Sequence, residues 1–156
     1  MAQDTKAGRV FEDRVSLPFR YALGTTMTRF FDEFKDKKIM GTKCPSCKKV
    51  FVPARYFCSR CFDKMKEWVQ VKDTGVVETW TMITYKYSGQ DREPPYITAQ
   101  IRLDGADVKF LHYIGGVDMS DLEKVREFVK TGMKVRAKWR ASRNGNIHDI
   151  EYFEPA

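Results

Sequence analysis

Residues 41–61, "GTKCPSCKKVFVPARYFCSRC", hold all four cysteines of the chain in two CxxC pairs ten residues apart. A CxxC turn lets two thiolates reach one ion, and two such knuckles complete a tetrahedral site. Zinc fits this donor set best. Iron is the nearest rival, since rubredoxins also use four thiolates and sulfur ligation alone does not separate the metals. A redox disulfide fits less well, because a thioredoxin-like CxxC opens a helix in a βαβ unit, whereas these pairs flank a short, strand-forming linker. With Cys44, Cys47, Cys58 and Cys61 all engaged, no coordination position stays open for water or substrate, so the expected metal is structural.

Working outward toward the N-terminus, "TTMTRFFDEFKDKKIMG" spaces Met27, Phe30, Phe31 and Phe34 at helical period. Thr25 or Thr26 is the expected N-cap and Gly41 lies beyond the expected end. Residues 1 to about 23 mix charges with scattered Phe, Pro and Tyr and read as an extended arm.

On the C-terminal side, "EWVQVKDTGVVETWTMITYKYSG" is dense in β-branched and aromatic residues, with Gly75 marking a bulge or bend. "YITAQIRLDGADVKFLHYIGG" reads as a hairpin turning at Asp104 and Gly105. In "MSDLEKVREFVKTGMK", Ser120 is the expected cap with Glu123 at the box position; Leu122, Val125, Phe128 and Val129 share a face and Gly132 closes the helix. "KVRAKWRASRNGNIHDIEYFEP" returns to strands around Asn144 and Gly145. Three strands, a helix and two strands on a Gly-punctuated sheet are the layout of a five-stranded OB-fold barrel, with a β-sandwich as the competitor. The expected fold is mainly β: arm and helix over 1–40, a rubredoxin-like zinc ribbon over 41–66, and an OB-fold domain over 67–156.

Composition bounds the function. At 156 residues, 42% hydrophobic and 13% aromatic, the chain can bury a core and is not a disordered protein. The net charge of +7 favours phosphates, anionic cofactors or acidic partners, although no unbroken basic run of five or more occurs and a solvated face is the default reading. The N-terminal stretch fits neither a secretory signal nor an anchor, and a cytoplasmic, reducing setting is expected, where paired CxxC motifs hold metal. No GxSxG or Walker motif occurs. Of the two histidines, His112 falls in an apolar strand and His148 beside Asp149; neither has an evident nucleophile.

The ordered set "FFDEFKDKKIMGTKCPSC", "VFVPARYFCSRC", "EWVQVKDTGVVETWTMI", "PPYITAQIRLDG" and "TGMKVRAKW" resembles the zinc-ribbon plus OB-fold proteins that accompany thiolases and related acyl-CoA enzymes, over roughly residues 25–153. The resemblance implies a small accessory subunit bound to a thiolase-type catalytic partner. The partner would supply the catalytic cysteine and histidine, while ribbon and barrel help form the entrance for coenzyme A or acyl-CoA. The arm and overall layout look like small subunits of benzoylsuccinyl-CoA thiolases of anaerobic toluene breakdown. The chain departs from the common pattern in "KYSGQDRE" and in the helix-containing link at 118–132, which leaves the acyl substrate open. Cations beside an aromatic platform can pair with the phosphates of coenzyme A and stack on adenine, and Arg55, Tyr56, Lys86 and Arg92 are the candidates. Equally, Arg55 would brace the ribbon and Tyr56 pack against it. The alternative function is a single-stranded nucleic-acid binder, using Trp80, Tyr85, Tyr87 and Trp139 among Lys and Arg.

Overall fold

The computed structural model describes residues 20–87, 89–90 and 92–156; the expected arm lies outside the described residues up to position 19. Alternation governs the larger half of the molecule. In β5 (Tyr96–Leu103) Ile97, Ala99, Ile101 and Leu103 point inward, in β6 (Lys109–Ile114) Phe110, His112 and Ile114, and in β7 (Lys134–Trp139) Val135 and Ala137. With β4 (Thr74–Ile83) and β8 (Ile150–Pro155) these strands close a barrel in the order β4-β5-β6-β8-β7, with β7 returning to β4. All neighbours are antiparallel except β6 and β8. This is the expected five-stranded OB barrel, and a sandwich is excluded by the closure.

The smaller half is a three-stranded sheet in the order β2-β1-β3, built from β1 (Ile39–Lys43), β2 (Val50–Phe51) and β3 (Glu67–Val71). Glu67–Val71, within the stretch read as opening the barrel, pairs with β1 in this sheet.

Helix α1 (Gly24–Asp32) continues as a 3₁₀ turn, Glu33–Asp36, and lays Phe30 and Phe34 into the core with no exposed surface. Burying each ring contributes roughly 2 kcal/mol. Phe34 meets Trp139 of the barrel edge to face at 5.5 Å. The Arg143 guanidinium donates to the Lys35 carbonyl at 2.8 Å, so the helix end is fastened to the barrel. Buried residues of helix, ribbon and barrel form one continuous apolar cluster.

Several local expectations are corrected. α1 begins at Gly24 with no side-chain cap from Thr25 or Thr26, and the 3₁₀ turn that continues it stops at Lys37, whose φ of 57° is left-handed. Gly41 is not a helix stop: it sits inside β1, where a Cβ would lie 2.8 Å from Val50 Cγ1 and 2.9 Å from the Phe51 carbonyl. The bulge attributed to Gly75 falls between Val77 and Thr79. Gly75 instead permits β4 to pair with both β5 and β7, a Cβ there coming within 2.5 Å of the Arg102 carbonyl. Helix α2 (Leu122–Phe128) is capped by Asp121, whose carboxylate accepts from the Glu123 amide, and not by Ser120. Only Val125 and Val129 of its four expected apolar residues are buried; Leu122 and Phe128 face solvent. The turn around Asn144 and Gly145 is part of a loop gathered on buried Asp149, whose carboxylate accepts from the amides of Asn144, Gly145 and Asn146. Among the described residues no helix is long and apolar enough to cross a membrane.

Candidate metal centre and barrel groove

Both knuckles fold alike. The Lys48 amide donates to the Cys44 carbonyl at 3.1 Å and the Phe62 amide to the Cys58 carbonyl at 3.0 Å. Lys48 and Phe62 each adopt left-handed backbone, with φ of 62° and 61°. This repetition brings all four Sγ atoms within 4.8 Å of one another, with Cys47 Sγ and Cys58 Sγ 3.7 Å apart. Sulfurs at tetrahedral corners around zinc, with Zn–S near 2.3 Å, stand roughly 3.8 Å apart. The donor set therefore fits a tetrahedral tetrathiolate ion such as zinc, which Cys44, Cys47, Cys58 and Cys61 would hold.

Electrostatics shows what the clustered thiols ask of an ion. Burial opposes charge on Cys58, but the amides of Cys61 and Arg60, each 3.4 Å from its sulfur, and the neighbouring thiols outweigh it and lower the pKa to about 7. Burial and the adjacent sulfurs push Cys61 up to about 12. Four thiolates need a cation to be charged together. A metal held there would supply cross-linking, since four thiolates leave no ligand position for a substrate.

A second apolar cluster surrounds the sulfurs: Cys44, Phe51, Cys58 and Met65, with Val108 packed against them. Val108 comes from the β5–β6 turn of the barrel. Beside it, Asp107 accepts from the Val50 amide at 2.8 Å and donates its own amide to the Val50 carbonyl at 2.9 Å. The barrel thus buttresses the ribbon. Sequence reading did not single out Asp107 and Val108, because only the strand register shows that this turn reaches the ribbon.

The four candidate coenzyme A residues fall into different surroundings. Arg55 and Tyr56 line an open groove of about 540 Å³ with Leu23, Met27 and Ala54. Arg55 is held through its backbone, which exchanges two 2.9 Å hydrogen bonds with the buried Thr42 hydroxyl, and its guanidinium lies 5.5 Å from the centre of Phe51. Tyr56 packs edge to face on Phe57 at 4.6 Å. Arg92 lines another groove, of about 550 Å³, with Tyr87, Gln90, Tyr96, Tyr113 and His148. Its guanidinium is stacked 3.9 Å from the centre of Tyr113, and Gln90 donates to the Tyr96 hydroxyl at 2.7 Å. Lys86 is ion-paired with Glu93 and does not line that groove. Tyr96 and Tyr113 were missed; they converge because β5 and β6 are neighbours, a pairing that alternation within each strand does not disclose.

His112 is buried in β6, its Nε2 3.3 Å from the Ile147 carbonyl and its ring stacked on Phe110. Burial lowers its pKa to about 4, against the opposing effect of the Ile147 carbonyl. His148 is a surface residue whose amide is capped by Asn146. Of the aromatic residues named for nucleic acid, Trp80 and Trp139 pack against the core, and Trp139 Nε1 donates to Asp73; Tyr85 and Tyr87 are exposed.

A closed thiolate site on a three-stranded ribbon, buttressed by a five-stranded barrel, defines a zinc-ribbon plus OB-fold protein. Residues 31–66 match the ChsH2 rubredoxin-like zinc ribbon domain, and residues 68–140 match the ChsH2 C-terminal OB-fold domain. A crystallised DUF35 protein of unknown function from Sulfolobus solfataricus is 32% identical, with 73% of this chain and 78% of that chain covered at a TM-score of 0.57. The chain belongs to the DUF35 family, with ribbon and barrel of the ChsH2 type. A DUF35 domain-containing scaffold protein of Pyrococcus furiosus is 29% identical over 118 residues, 75% of this chain and 80% of that protein. The fold also superposes on the Ltp2-ChsH2(DUF35) aldolase at a TM-score of 0.61 and 19% identity, covering 87% of this chain and 98% of the other.

Proposed function

We propose that the chain is a non-catalytic accessory subunit of a thiolase-type acyl-CoA enzyme, holding the complex together and contributing to coenzyme A binding. The observation that carries this reading is the engagement of the four cysteines and of His112. All four cysteines converge on one site, and His112 is packed inside the barrel. The resemblance to a DUF35 scaffold protein and to the DUF35 part of an aldolase supports the same reading. Reactive groups would then come from the partner chain, the acyl substrate being of the benzoylsuccinyl-CoA type.

For the coenzyme A moiety, Arg92 is the best-supported anion partner: its guanidinium is braced by Tyr113, which leaves the fork free to pair with a phosphate. Lys86 adds a neighbouring cation that would have to leave Glu93. Arg55 and Tyr56, in the other groove, would border the partner.

Affinity purification of the full chain from its native host tests the assignment, with partners identified by peptide mass spectrometry. A thiolase-type enzyme in near-equal amount is expected. Stoichiometric RNA with no enzyme would reverse the reading. Titration calorimetry of the complex with coenzyme A then separates the grooves: Arg92→Ala should weaken binding by at least about tenfold, the loss of one charged hydrogen bond. Unchanged affinity would remove Arg92 from the site.

A further inference from the structure

The second knuckle carries more exposed aromatic surface than its folding requires. Tyr56, Phe57 and Phe62 are 48%, 49% and 79% exposed. Phe62 also stands in left-handed backbone, a conformation that favours glycine or asparagine. At the equivalent place in the first knuckle the chain uses Lys48, so the fold does not demand a phenyl ring there. Tyr56 also forms one wall of the groove with Leu23, Met27 and Ala54, which extends this apolar surface toward α1. The collar is basic: Arg55, Arg60, Lys64 and Lys66 are exposed, against the partly covered Asp63.

We propose that this aromatic cap and its basic collar form the docking surface for the catalytic subunit, a protein surface apolar at its centre and carboxylate-bearing at its rim. The inference rests on the accessory-subunit reading and names the surface by which it acts. Aromatic side chains in a desolvated centre and cations at a rim are the division of labour of protein interfaces. Charge argues against a second copy as the occupant, because a two-fold contact would set the collar against itself. Geometry argues against a nucleic-acid strand: Tyr56 and Phe57 stand at 90° to each other, so they do not offer parallel faces to successive bases.

The test uses the full-length zinc-loaded chain and the enzyme recovered with it, measured by biolayer interferometry. Phe62→Asn keeps a residue suited to left-handed backbone, so zinc content and thermal midpoint should stay unchanged. Its Kd for the enzyme should rise about 30-fold or more, as for loss of a central anchor. Arg60→Glu should act mainly on the association rate and flatten its salt dependence. Phe128→Ser, on the exposed face of α2, should change nothing. Wild-type affinity in Phe62→Asn, with loss in Phe128→Ser, would move the interface to α2 and overturn this inference while leaving the accessory reading intact. Absence of any stoichiometric enzyme would overturn both. A Phe62-dependent dimer in sedimentation velocity, or Phe62-dependent binding of a fluorescent dT20 strand, would also overturn it, by naming a different occupant.

Discussion

Ribbon and barrel solve the same stability problem in opposite ways. The barrel closes its own hydrogen-bond ladder around Ile97, Ile101, Phe110, Val135 and Phe153. The sulfur site is surrounded by only a few buried side chains, two of them the cysteines Cys44 and Cys58, and it borrows Val108 from the barrel. The knuckles around the sulfurs bury little apolar area beyond what β1 and β2 lend to the shared core, so a cross-linking ion would take the place of a core there. Rigidity in the ribbon is therefore conditional, and in the barrel it is intrinsic.

Metal removal should expose that difference most. Apparent folding energies of structural zinc sites are on the order of 10 kcal/mol. Cys58→Ser or a strong chelator should therefore abolish protection of amides 41–66 in hydrogen exchange while β4 to β8 stay protected. Simultaneous loss in both regions would erase the distinction. The converse perturbation is Phe110→Ala, a truncation in the barrel core expected to cost about 3 to 5 kcal/mol in urea unfolding. It should lower the barrel transition while purified chain still carries one zinc.

A pH experiment addresses the barrel once the acid sensitivity of the thiolate site is removed by taking the difference between His112→Leu and wild type. The His112 pKa falls from 6.5 to about 4 in the folded chain through burial. The unfolded chain takes up the proton first as pH drops, so the contribution of His112 to stability is flat above pH 6.5 and falls toward pH 4. The loss is up to about 3 kcal/mol across that window. His112→Leu should flatten this part of the difference curve between variant and wild type. An unchanged slope would mean that the ring is hydrated in solution. The smallest expected effect lies at the seam: Asp107→Ala removes the carboxylate that accepts from Val50, costing about 1 kcal/mol, and should separate the ribbon and barrel transitions.

The same contrast explains what could be read from the chain. Metal ligands are local: two CxxC turns declare themselves by spacing, and Cys44, Cys47, Cys58 and Cys61 meet as expected. The barrel was legible through alternation in β5 and β6 and through the turn at Asp104 and Gly105. Features governed by close approach were not. Gly41 and Gly75 look like punctuation, yet both lie in strands where a neighbouring backbone leaves no room for a Cβ. Periodicity gave α2 a four-residue face, but the barrel covers only Val125 and Val129. The separation of Arg55 and Tyr56 from Arg92 depends on how ribbon and barrel are arranged, information that spacing along a chain does not carry. Asp121 in place of Ser120 is a one-residue shift between two competent caps, which spacing alone does not resolve.

Native mass spectrometry of the untreated full-length chain, captured from its own host, bears most directly on a metal-built ribbon that serves a companion enzyme. The expected species is this polypeptide plus one zinc ion, in assembly with a thiolase-type subunit. A folded, metal-free polypeptide travelling alone, and cleaving an acyl-CoA thioester unaided, would contradict it.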